Sequence, residues 1–123
     1  MKKILFFTFF LISSLLFAGH GWERINYMQS TIFSSEVTVN GKPASQGDVI
    51  GAFVGNECRM IAPIFMVDNK SFVSSVIHGD KVEDVEFKIW IHAKDKVYAI
   101  PQKVKTAPGG NLLNYSLKAV ILE

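Results

Sequence analysis

Gly47-Asp48-Val49-Ile50-Gly51-Ala52-Phe53-Val54-Gly55-Asn56-Glu57-Cys58-Arg59-Met60-Ile61-Ala62 reads as two β-strands joined by a tight turn. Val49 to Val54 is apolar on both pleat faces, so neither face suits water. Gly55-Asn56-Glu57 supplies residue types that tolerate positive φ. The hairpin is expected at the centre of a small sandwich. Asp48 and Arg59 stand at its two ends and are expected to form a structural ion pair. The alternative is that Arg59 is displayed to a ligand.

Outward from this hairpin, period-2 alternation and turn signals repeat. On Thr31 to Val39, Phe33, Ser35, Val37 and Val39 share one face. Asn40-Gly41 follows, a strong hairpin dipeptide. Pro43 rules out a central strand just after it. Ile64 to Val67 and Phe72 to Ile77 read as further strands around a turn at Asp68-Asn69. On Asp84 to Ala93 the alternation is cleanest: Val85, Phe87, Ile89, Ile91 and Ala93 make a core face, and Asp84, Glu86, Lys88, Trp90 and His92 a wet one. Val97 to Ile100 is expected to end at Pro101, with a further strand at Gln102 to Thr106. Tyr115 to Leu122 closes the chain. About eight or nine short strands at this spacing predict an all-β fold, an antiparallel sandwich of Ig-like or jelly-roll-like type.

The first residues have a different character. Met1-Lys2-Lys3 is basic, Ile4 to Phe17 is largely apolar, and Ala18-Gly19 is small. This is the pattern of a secretory signal peptide over residues 1–18, followed by one domain over 19–123. The apolar run falls short of the ~20 residues that span a bilayer. The expected address is secreted, periplasmic or at the cell surface. Removal of the leader takes Lys2 and Lys3 from the 13 basic side chains, leaving 11 against 11 acidic ones. A neutral chain makes no electrostatic case for nucleic acid or, once the leader is cleaved, for a membrane surface. His20 is expected to be unordered beside the cleavage site.

Chemistry-bearing residues are sparse. Cys58 is the single cysteine, so no internal disulfide exists. It is expected to be a buried small hydrophobe on the inward side of its strand, with an intermolecular bridge as the alternative. His20, His78 and His92 lack zinc-site spacing. The carboxylates at Asp80, Glu83, Asp84 and Glu86 lack a calcium-loop pattern. No nucleophile–base set is visible. The expectation is a non-enzyme with no metal and no cofactor. Trp90 is the most informative side chain, because its register puts a planar aromatic on the wet face between Lys88 and His92. Such a ring stacks on a sugar or on a partner's apolar patch. Trp22 and Tyr98 are candidates to join it.

The same residues carry a family resemblance. Gly47-Asp48-x-Ile50-Gly51-Ala52-Phe53-Val54-Gly55-x-Glu57-Cys58-Arg59 resembles a motif of small β-sandwich modules in secreted bacterial proteins. Tyr27-x-x-Ser30 and Asn40-Gly41 upstream, and Phe87-Lys88-Ile89-Trp90 and Val97-Tyr98 downstream, are similar to further parts of such modules. The match covers most of residues 22–122, and Met60 departs from it where the modules often have Gly. Some of these modules resemble carbohydrate-binding modules. The resemblance implies a secreted binding module for a ligand or partner, with polysaccharide or another envelope protein as the partner. The alternative is an envelope assembly subunit that joins its neighbour by an edge strand.

Overall fold

A computed structural model describes residues 19–122, so the expected leader over 1–18 lies outside the described residues. The described residues form nine strands: β1 (Ser30–Val39), β2 (Lys42–Pro43), β3 (Val49–Val54), β4 (Glu57–Pro63), β5 (Phe65–Val67), β6 (Lys70–His78), β7 (Asp84–Ile91), β8 (Lys96–Lys105) and β9 (Asn111–Ala119). They make an antiparallel β-sandwich. One sheet runs β4-β3-β7-β8; the other runs β2-β1-β6-β5, with β9 also paired to β1. Among the nine described strands the β1–β9 pair is the parallel one, Val37 lying opposite Leu117. No helix among the described residues is long and apolar enough to cross a membrane.

Local chemistry fixes the turns. Val39 pairs with Lys42, leaving Asn40-Gly41 as a two-residue loop with φ of 51° and 80°. Both central residues lie in the left-handed region, as a type I′ turn requires. Val54 pairs with Glu57, and Gly55 alone takes the positive φ of 58° at that turn. Glu57 therefore opens β4 instead of belonging to the turn.

Alternation fixes the core. Phe33 and Val37 on β1, Ile50 and Ala52 on β3, and Val85, Phe87 and Ile89 on β7 are all fully enclosed. The Phe33 and Phe87 rings stack across the two sheets with centroids 5.1 Å apart. Three strands depart most from expectation. β9 runs Asn111–Ala119 where the pattern predicts Tyr115 to Leu122. β8 continues through Pro101, because the proline falls in a bulge of an edge strand, between the pairs Phe87–Ile100 and Glu86–Lys103, where a missing N–H costs little. β7 stops at Ile91, and Ala93 lies exposed in the following turn.

Candidate functional site

The outer face of the β4-β3-β7-β8 sheet gathers the chemistry. Val49, Gly51 and Phe53 alternate outward from the buried Ile50 and Ala52 on β3. Lys88 and Trp90 alternate outward on β7, where Trp90 lies opposite Val49. Residues 19–29 then cross this sheet as a strap. The Ile25 N–H donates to the Cys58 carbonyl at 2.8 Å, so the strap follows the free edge of β4. Trp22 leans over β3 and meets the Phe53 ring edge-on at 5.3 Å. This answers the sequence problem of a strand apolar on both faces: the strap covers the second face. Gly51 makes room for it. A Cβ at that position would lie 2.7 Å from the Phe53 ring and 2.9 Å from the Trp22 ring.

Trp90 is half-buried on this face, as its register predicts. Its indole N–H donates to Asp95 Oδ1 at 2.9 Å, across the turn between β7 and β8. The His92 ring stands 5.3 Å away at 61°, and the His20 ring 5.8 Å away, edge-on at 81°. Gly19, Trp90, His92 and Asp95 line a shallow open pocket of about 240 Å³. The indole is therefore held in one orientation by a carboxylate while part of its surface stays accessible.

Asp48 acts on this pocket from below. It is 3% exposed, its Oδ1 accepting the His92 backbone N–H at 2.9 Å and its Oδ2 the Ser45 N–H at 3.0 Å. It thereby fixes the backbone that carries His92. The expected Asp48–Arg59 ion pair does not form. With the turn at Gly55-Asn56, Val49 pairs with Pro63, so Asp48 sits beside Ile64 at the far end of the hairpin from Arg59. Arg59 instead pairs with Glu57 at 2.9 Å and Glu83 at 3.0 Å, and it donates to the His78 carbonyl at 3.0 Å. Its guanidinium also lies 4.2 Å above the Tyr27 ring. Tyr27 donates its hydroxyl to Glu57 at 2.6 Å. That bond, more than the neighbouring Arg59, holds the Glu57 carboxyl below its ordinary range. Arg59 is thus turned inward onto four segments and is not displayed to a ligand.

The other expected residues divide. Lys88 places Nζ 4.6 Å from the Phe53 centroid, so its charge covers that ring. Trp22 is sandwiched between Phe53 and the His20 ring, which stacks on it at 4.7 Å. It roofs the sheet more than it offers a platform. Tyr98 does not share the face of Trp90: it lies opposite Ile89 and packs against the core. His20 is ordered by Trp22, whose N–H donates to its Nδ1 at 2.9 Å. Cys58 is buried as expected, but beside Phe53 on the outer face and beneath the strap, not inward. Desolvation pushes its thiol up, towards the unreactive form. Among the described residues no three His, Cys, Asp or Glu side chains converge as metal ligands.

Asp95, His20 and Phe53 are site members that the residue-by-residue reading missed. Lys94-Asp95-Lys96 is legible as a turn, but nothing in it signals that the carboxylate returns to an indole five residues earlier. No protein-family model, curated protein or solved structure matches the chain.

Proposed function

We propose that this chain is a secreted, non-catalytic binding module that recognises glycan through Trp90. The single observation that carries the reading is the half-buried indole, pinned by Asp95 and bordered by His92, lining an open pocket on an outer sheet face. A planar ring held at a fixed angle offers its surface to the C–H face of a sugar with little ordering cost. The neighbouring imidazole and carboxylate supply hydrogen-bond partners for hydroxyls. The motif resemblance around Gly47–Arg59 supports a module of this kind.

Retention on immobilised polysaccharides and a glycan array tests it. Trp90→Ala is expected to weaken binding about tenfold or more, as lost base- or sugar-type stacking does. Asp95→Ala is expected to weaken it less, because the ring stays but loses its fixed angle. Equal retention of wild type and Trp90→Ala removes the reading.

A second reading, an envelope assembly subunit, draws on the sheet edges. β5 and β8 each end a sheet and pair on one side only. Strand addition by a partner uses such edges. Crosslinking in cells through residues placed on β8 distinguishes it, since glycan binding leaves no protein adduct there.

A further inference from the structure

The opposite face of the sandwich carries a feature that neither the core nor the Trp90 pocket uses. Across the outer surface of the five-stranded sheet runs an open groove of about 540 Å³, between β5 and β9. That volume lies within the ~300–1,000 Å³ typical of ligand sites. One side of it is aromatic. Phe65 and Phe72 are a cross-strand pair with centroids 6.0 Å apart and planes 31° apart, and Phe65 is 43% exposed. The rest is mixed: Val67, Val73 and Tyr115 extend the apolar floor, and Ser34, Ser74, Asn114 and Ser116, with the single carboxylate Glu36, supply the polar groups.

This arrangement is not what an unused sheet face looks like. All three residues of β5 are exposed and apolar, Phe65, Met66 and Val67, although a wet strand ordinarily carries polar side chains. Opposite them the β1–β9 register slips between Phe33 and Ser35, and Asn114 sits in that irregularity with φ of 61°. Its backbone N–H donates to Ser34 Oγ at 3.3 Å. Bulges of this kind re-aim side chains and concentrate near functional sites. Here the irregularity brings Asn114 into the lining that it shares with Phe65 and Phe72.

The lining selects a ligand class. Phenyl rings take an apolar face; hydroxyls, an amide and a carboxylate take a row of hydroxyl groups. The groove residues include no cation, and Glu36 repels anions. A nucleic acid or acidic polysaccharide is therefore disfavoured, and a purely apolar ligand would leave the polar row unpaired. We propose that this groove is a second binding site, for a neutral pyranose chain, on the sheet opposite Trp90. It stands on its own contacts and does not require the Trp90 pocket to bind anything.

Amide chemical-shift mapping by NMR tests it. The probes are neutral hexasaccharides of glucose, mannose, xylose and N-acetylglucosamine, added to the protein lacking residues 1–18. At least one probe is expected to shift the Ser34, Ser74 and Asn114 amides in a saturable way. Phe72→Ala is expected to weaken that response at least about tenfold, from the loss of one stacking ring. Ser74→Lys, an exposed change that fills the groove without touching the core, is expected to do the same, which guards against Phe72→Ala merely misfolding. Trp90→Ala is expected to leave these three amides' response unchanged, so failure of one site is read separately from failure of the other. The proposal is overturned if no probe shifts these amides at millimolar concentration. It is equally overturned if the shifts survive in folded Ser74→Lys, or if an acidic polysaccharide binds there in preference to every neutral one.

Discussion

Gly51 is the residue on which the candidate site's roof depends. It is enclosed in a central strand, where glycine ordinarily weakens pairing, yet a side chain there has no space. The nearest atoms are ring carbons of Phe53 and Trp22, and neither ring is a flexible end that swings aside cheaply. Gly51→Ala is therefore expected to lift Trp22 from the sheet and to cost about 1–3 kcal/mol of stability, the usual penalty of overpacking. Urea unfolding measures the cost. The intrinsic emission of Trp22 in a Trp90→Phe background reports the displacement, since the chain has two tryptophans. A variant with unchanged emission and midpoint would show that the roof does not need this glycine.

At the scale of elements, the strap over residues 19–29 carries its own pH dependence. Trp22 donates its backbone N–H to His20 Nδ1, an acceptor only in the neutral ring. Burial holds the His20 imidazole below its ordinary 6.5. The unfolded or released segment thus takes up its proton at a higher pH than the docked one. The docking contribution is complete above about pH 6.5 and is lost as pH falls through the lower, docked value. Trp22 emission in Trp90→Phe is expected to move towards that of a solvated indole on acidification below about pH 6.5, and His20→Gln is expected to remove the transition. A flat titration in the parent would rule the device out. The strap also marks the limit of what the chain's pattern discloses. Strands announce themselves through alternation, and Asn40-Gly41 and Gly55 announce their turns through positive φ. That is why β1, β3 and β7 and the outward register of Trp90 are legible. Residues 19–29 have no period, and their placement on the sheet comes from contacts with distant residues such as Cys58, Phe53 and Glu57. Tyr98 misleads for a related reason: β8 carries apolar residues on both faces near its start, so alternation there assigns no side. Arg59 misleads because closeness to a hairpin says nothing of which end a charge occupies until the turn residues are counted.

At the scale of the whole molecule, pairing of the last strand with the first predicts one cooperative unit. β9 completes the five-stranded sheet by lying parallel to β1, so residues 111–119 pair with residues 32–39. Such non-local pairing must wait for the rest of the chain, and sandwiches of this kind fold slowly for that reason. The two sheets then share one core, in which Leu117 from β9 is 1% exposed and lies in the same cluster as Phe33 and Phe87. Trp90 reports from the other sheet, on the outer side of β7. If the sheets are inseparable, damage at Leu117 is felt at Trp90 in full. Leu117→Ala is expected to cost about 3 kcal/mol, the middle of the range for emptying such a site. Far-ultraviolet dichroism and Trp90 emission, recorded in Trp22→Phe to isolate that indole, should then report one coincident transition, moved to lower urea with its slope unchanged. If Trp90 keeps its original midpoint while dichroism is lost early, the sheets are separate units. Shared unfolding would also tie both outer faces to one stability, so that neither the Trp90 pocket nor the groove at Phe72 survives loss of the other's sheet.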